Sequence, residues 1–159
     1  MAAEPIASAP TRAAALASLL ASARHEASIL EHHLESDVHD DEAVLDALRS
    51  LAASGRGARI RILVQDASRL QVEAPRLLAL VQRMSSAMSI RVPSEAADLA
   101  YACAYTTVDA GGLLFRPEAS RHDTRGPSGE VGERARLQGY FDAMWERSQP
   151  AAELRRIDL

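Results

Sequence analysis

The residues best equipped for chemistry fall in a few places along this 159-residue chain. The densest group is His32, His33 and His39 among Glu31, Glu35, Asp37, Asp40 and Asp41, the composition of a metal site. Its spacing argues the other way. Neighbouring histidines on a strand point to opposite faces, and the chain has no His-Glu-x-x-His helix and no i, i+4 ligand pair on a helix face. The segment therefore reads as a solvated acidic loop that starts a helix, where carboxylates suit the helix dipole. Metal-assisted catalysis through His32, His33 and His39 is the alternative, and no cofactor is expected. A second group is basic. Arg56, Arg59 and Arg61 precede or occupy an apolar strand, and Arg116, Arg121 and Arg125 could complete an anion patch, since guanidinium suits bidentate phosphate recognition. Solvation of a sheet edge and pairing with carboxylates is their simpler role. All 18 basic residues are arginine, so no mechanism that needs a lysine can operate. Cys103 lies in an apolar run and reads as a buried thiol. No nucleophile-elbow glycines surround Ser85, Ser86 or Ser148.

The elements that must position these groups follow from periodicity. A net charge of −4 gives no long-range field to attract nucleic acid or an anionic membrane. No apolar stretch reaches the ~18–20 residues of a membrane span. Ala13–Ala23 mimics a signal-peptide core, but it is alanine-rich and follows Glu4 and two prolines, so it reads as a helix and the protein as cytoplasmic. Residues 1–10 read as a flexible tail and 11–159 as one domain. Thr11 can cap a first helix running to Arg24. A strand at 26–32 follows, then an amphipathic helix at 41–53 with Val44, Leu45, Leu48 and Leu51 inward. Ala58–Gln65 suits a central strand buried on both faces, and Asp66 stands at its C-terminal end, where open α/β sheets bind ligands. A helix opens at Pro75, and Ser89–Val92 is a short strand. The best hairpin signal is Leu99–Asp109, the turn Ala110-Gly111-Gly112 and Leu113–Arg116. A loop at 117–131 leads to a helix at 132–148 whose Leu137, Tyr140, Phe141, Met144 and Trp145 form a core stripe. Further pairing is expected through Leu154 and Ile157.

This order, ending in a hairpin and a long aromatic helix, resembles one half of the phospholipase D-like fold. Working members carry His-x-Lys-x4-Asp on the first hairpin strand and a small Gly-Ser-type pair about six residues later. His and Lys two apart share one strand face, so one attacks phosphorus while the other holds its charged oxygens. Laid on this hairpin through Asp109, the motif puts its histidine at Ala102 and its lysine at Ala104. Arg116-Pro117 stands where the small pair belongs. Three segments, Arg59–Asp66, Val108–Pro117 and Phe141–Ser148, resemble more narrowly an uncharacterised bacterial family of such domains that lack the motif. The resemblance implies a possible link to acetyltransferase-type proteins, although no Gly-rich acetyl-CoA loop is present here.

The expected fold is α/β: a mixed, mostly parallel sheet flanked by helices, with a C-terminal β-hairpin and long helix. The expected function is a non-catalytic binding, regulatory or oligomerisation module. Working relatives assemble one site from two halves, which implies a homodimer through the hairpin face. Nucleic acid and membrane are disfavoured as partners, and a phosphate or nucleic-acid binder using the Arg patch is the second alternative. Any retained ligand site is expected at Asp66, Asp109, Arg116 and Arg61.

Overall fold

The computed structural model describes residues 5–6, 8–117, 124–125 and 131–155. The elements are β1 (Pro5–Ile6), α1 (Ala9–Ser22), β2 (Glu26–Glu31), α2 (Ser36–His39), α3 (Glu42–Ala52) and β3 (Arg59–Val64). Then come α4 (Leu70–Glu73), α5 (Pro75–Arg83), β4 (Met88–Pro93), α6 (Ala96–Leu99), β5 (Ala104–Val108) and β6 (Leu113–Arg116). β7 (Thr124–Arg125), α7 (Val131–Glu146), β8 (Ser148–Pro150) and a 3₁₀ turn (Ala152–Arg155) complete the chain.

One sheet carries all eight strands in the order β1-β7-β6-β5-β2-β3-β4-β8. β2, β3 and β4 run parallel at its centre, and every other pairing is antiparallel. The sheet is thus mixed as expected but mostly antiparallel, which corrects the expected balance. The cause is at the edges: β1, β7 and β8 have two or three residues each, too short to show a periodicity, and all pair antiparallel.

Two apolar layers sandwich the sheet. On one face α1, α3 and α5 bury Leu16, Leu20, Val44, Leu48, Leu77 and Leu80 against Ile29, Ile60 and Ile62. On the other, α7 lays Leu137, Phe141, Met144 and Trp145 over Leu30, Leu63 and Tyr105. The spacing of 4, 3 and 1 residues keeps that α7 stripe on one helix face. Asp41 caps α3 by accepting from the Ala43 and Val44 amides at 3.0 and 3.3 Å. α1 starts earlier than expected: Ser8 rather than Thr11 is the cap, and Pro10 fits its first turn, where a missing N–H costs nothing. Residues 5–6 and 8–10, expected in a tail, therefore belong to β1 and to the cap and start of α1.

The hairpin strand is shorter than Leu99–Asp109. Residues 96–99 form α6 instead, and the chain enters β5 only at Ala104. Polar contacts hold this turn in place. Gln65 donates to the carbonyls of Asp98 and Tyr101 at 2.9 and 2.7 Å, and Arg147 grips the Asp98 carboxylate at 2.9 and 3.0 Å. Final pairing comes through Ser148–Pro150 on β4, not Leu154, which sits in the 3₁₀ turn. Ile157 lies outside the described residues.

Candidate functional site

β5 alternates its side chains across the sheet, and this decides where the degenerate motif points. Tyr105 and Thr107 face α7, where they bond the Leu137 carbonyl at 2.9 Å and Gln138 at 2.5 Å. Ala104, Thr106 and Val108 face α1 and α2. Ala104 is buried and pairs in register with Arg116 on β6. Ala102 is exposed and precedes the strand. The two motif positions thus share neither a strand nor a pocket.

Beside Ala104 lies a buried polar cluster. The Arg116 guanidinium pairs with Glu31, at the last position of β2, both side chains under a tenth exposed. Glu31 Oε1 lies 3.4 Å from His39 Nε2. The Glu35 amide donates to His39 Nδ1 at 2.9 Å. A backbone N–H can only donate, so Nδ1 accepts and the ring proton sits at Nε2, toward Glu31. Arg12 from α1 closes the cluster on Glu35 at 2.6 Å. Burial raises the Glu35 carboxyl, but the Arg12 hydrogen bond and charge, with His39 and Arg116 near, hold it below the ordinary value. Two guanidiniums and two carboxylates balance. The cavity left among Arg12, Glu31, His39, Ala104 and Arg116 is about 30 Å³, the room of a water rather than of a phosphodiester. Arg116 Nε is buried there without a partner among the described residues.

This cluster corrects the expected solvated loop. His39, Asp40 and Glu31 are buried, while His32 and His33 are exposed and meet each other edge to face. Asp40 accepts from the Leu77 amide at 2.8 Å and pairs with Arg76, bolting α2 to α5. Among the described residues, no three His, Cys, Asp or Glu side chains converge as a metal requires. The sequence signal for the cluster was present in Glu31, which ends a strand buried on both faces; nothing local showed that Arg12 and Arg116 would meet it.

Asp109, the acid position of the expected motif, faces the other end of the sheet. It accepts from the Arg24 and His25 amides, each at 2.8 Å, and so ties the hairpin to the α1–β2 turn. Burial raises its pKa, but these backbone donors outweigh burial and hold it below the ordinary value. Asp66 is exposed after β3 and closes a turn on the Ser68 amide at 3.0 Å; its side-chain and backbone bonds to Ser68 lower its pKa. Of the four expected ligand residues, only Arg61 and Asp109 share a lining, that of a polar groove of about 320 Å³ between α7 and the sheet. Arg116 lies on the opposite face and Asp66 at the opposite strand ends. In that groove Arg61 pairs with Asp142 at 2.8 Å, and Gln138 bridges Ser28 and Asp142 at 3.2 and 3.0 Å. Arg121 lies outside the described residues, as does the Arg125 side chain. Cys103 is half-buried, not fully buried as expected.

Next to the groove, Phe141 and Trp145 stack at 6.0 Å on α7. Arg61 lies 5.0 Å over Phe141 and 5.8 Å from the Trp145 ring, and Arg91 lies 4.9 Å over Trp145.

The mixed sheet with its parallel centre, the antiparallel hairpin and the long aromatic helix make a phospholipase D-like fold. The chain superposes on Nuc from Salmonella typhimurium, a phospholipase D family member, with a TM-score of 0.57 and 11% identity over 86% of this chain and 88% of that one. NucT from Helicobacter pylori gives 0.57 and 11% over 90% and 92%. TrmBL2, an archaeal chromatin protein described with a novel mode of DNA binding, gives 0.64 and 11% over 95% of this chain but 54% of its own, so the chain spans about half of that protein. At this identity the likeness is one of fold. More particularly, the chain belongs to the family described as a domain of unknown function (DUF7931), whose profile matches residues 8–157. No curated protein matches it in sequence. Among the described residues, no helix is long and apolar enough to cross a membrane.

Proposed function

We propose that this chain is a non-catalytic phospholipase D-like domain that works as a binding module. One observation carries this: the place of the motif's lysine, Ala104, faces a buried Arg116–Glu31 pair, with a cavity of about 30 Å³ in place of a substrate pocket. A cation is still present, but its charge is spent on Glu31. Ala102, the place of the motif's histidine, is exposed off the strand, so beside the cation the cavity is lined by Thr106 and His39. His39 is the one imidazole in the cluster, and both its nitrogens are engaged by Glu35 and Glu31.

The test is hydrolysis of bis(p-nitrophenyl) phosphate and of single-stranded DNA by the purified chain. We expect no rate above buffer, with or without divalent metal. Turnover that disappears on Arg116→Met or His39→Gln substitution would overturn the proposal. The module is further proposed to act as a homodimer through the hairpin face. Leu99 and Tyr140 are exposed, Tyr101 packs on Tyr140 at 6.1 Å, and Ala102, exposed, leads into the first hairpin strand. A monomer mass by light scattering at high concentration would remove the dimer without touching the binding reading.

A further inference from the structure

The N-terminal ends of β3 and β4 carry a groove of about 410 Å³ that the proposed binding module leaves without a ligand. Its polar lining is Arg59, Arg61, Arg91, Ser86 and Ser89, with Trp145 at its wall. These groups reach one place for a simple reason. Arg59 and Arg61 are two apart on β3, Ser89 and Arg91 two apart on β4, and the parallel register sets Arg61 beside Ser89. All four therefore rise from the sheet face that α7 covers only in part.

Three features separate this groove from an ordinary solvated edge. First, among the described residues no carboxylate lines it, although the chain as a whole is acidic. Second, two of its guanidiniums are braced: Arg61 and Arg91 lie over Trp145, itself 6% exposed, and Arg61 also over Phe141. Stacking engages the flat faces of a guanidinium and leaves its in-plane N–H donors to point outward, so little side-chain freedom is lost when an anion arrives. Third, the cations are only partly engaged. Arg61 gives Nη2 to Asp142 and Ser28, and Arg91 gives Nη1 to the carbonyls of Trp145 and Ser148 at 3.4 and 3.3 Å. Arg59 is exposed and makes no side-chain bond or ion pair among the described residues.

We propose that this groove binds a phosphate-bearing small molecule, with Arg59, Arg61 and Arg91 gripping the phosphate oxygens and Ser86 and Ser89 donating from the floor. The inference deepens the binding-module reading and rests on it. Three guanidiniums and two hydroxyls match the several oxygens and multiple charge of a phosphate or pyrophosphate group, whereas one carboxylate would satisfy a fraction of them. A long polyanion fits less well. The neighbouring groove places Glu26, Asp109, Asp142 and Glu146 beyond Arg59 and Arg61, and a strand leaving in that direction would meet these carboxylates. Trp145 is covered by guanidinium and offers no free face to a base.

The experiment titrates the full chain with inorganic pyrophosphate, ADP and a twelve-nucleotide single strand by calorimetry at two salt concentrations. Pyrophosphate binding that weakens with salt, and falls at least about tenfold in Arg59→Gln, supports the site, because a charge-assisted bond is lost. Arg91→Gln should weaken it likewise, and Arg59→Gln remains decisive if loss of the Trp145 brace unfolds that variant. Equal affinity for ADP and pyrophosphate assigns recognition to the phosphates alone; tighter ADP binding adds a nucleoside contact to the same site. Binding of the oligonucleotide without pyrophosphate, or of pyrophosphate unchanged in Arg59→Gln, overturns the inference. So does absence of all binding by folded protein. Phosphodiester hydrolysis, by contrast, would sink the non-catalytic reading and leave the groove's binding data standing.

Discussion

Replacing Arg116 by methionine tests whether the space beside Ala104 is a sealed ion pair or an open pocket. Methionine keeps most of the buried length, so the loss is electrostatic rather than a cavity. Glu31 would then stay buried at 9% exposure with only the His39 Nε2–H, at 3.4 Å, to face it. Removing one partner of a buried pair costs about 3–5 kcal/mol, and the remaining imidazole contact sets the expectation near 3. For a chain of this length each kcal/mol lowers the melting temperature by about 2–4 °C, so the expected drop is about 6–12 °C. Taking out Glu31 as well, in Glu31→Leu with Arg116→Met, removes the orphaned charge. The residual cost is the unpaired His39 N–H, about 1–3 kcal/mol, so the double variant should be no less stable than Arg116→Met. Urea unfolding followed by far-UV circular dichroism, with equal slopes, gives all three values. A loss below about 1 kcal/mol for Arg116→Met is the signature of a solvent-screened pair. It would mean that water reaches the cluster and that the sealed-site explanation is wrong.

Asp109→Asn should destabilise by about 1.5–3 kcal/mol, since a carboxylate bonding two amides becomes an amide that can accept for only one. Asp109 has a depressed folded pKa, so its contribution is present above the unfolded carboxyl value of about 3.9 and is lost as pH falls through the lower folded value. The gap between wild type and variant in thermal unfolding should therefore narrow below about pH 4. Gly111 turns the hairpin at φ +105°, and Gly111→Ala should cost about 1–3 kcal/mol by the same assay. Restoring the motif should divide in two. Ala102→His, on an exposed site, should change stability by no more than about 0.5 kcal/mol. Ala104→Lys buries an ammonium beside Arg12 and Arg116 and should cost more than about 3 kcal/mol, with no hydrolysis regained in the pair.

The fold was legible where burial writes a pattern. α3, α5, β3 and the aromatic face of α7 lie within two residues of their expected bounds, because each is long enough to repeat an apolar period. The mostly antiparallel balance was not legible, since it depends on two- and three-residue edge strands whose pairing is tertiary. Nor was the end of the hairpin strand. Tyr101, Cys103 and Tyr105 alternate as a strand would, and the turn is imposed by Gln65 and Arg147, 36 residues before and 49 residues after the groups they hold. The Arg groove was half visible. Arg59 and Arg61 stood out on one strand, but Arg91 joins them only through the parallel register, and Trp145 only through the docking of α7.

Ala104 and Arg116, two separate positions in the motif reading of the sequence, are neighbours in space. They are cross-strand partners on the face toward α1, so their side chains compete for the same volume. A lysine at 104 and an arginine at 116 would set two cations side by side with Arg12 behind them and Glu31 and Glu35 alone to balance three charges. With alanine at 104 the count closes at two against two, and the guanidinium takes the room that the lysine stem would fill. The buried cation at this place stands one strand over from Ala104, at Arg116, and it faces Glu31. The scaffold keeps its charge balance at that spot while the open face, with its partly engaged arginines, lies across the sheet at the feet of β3 and β4.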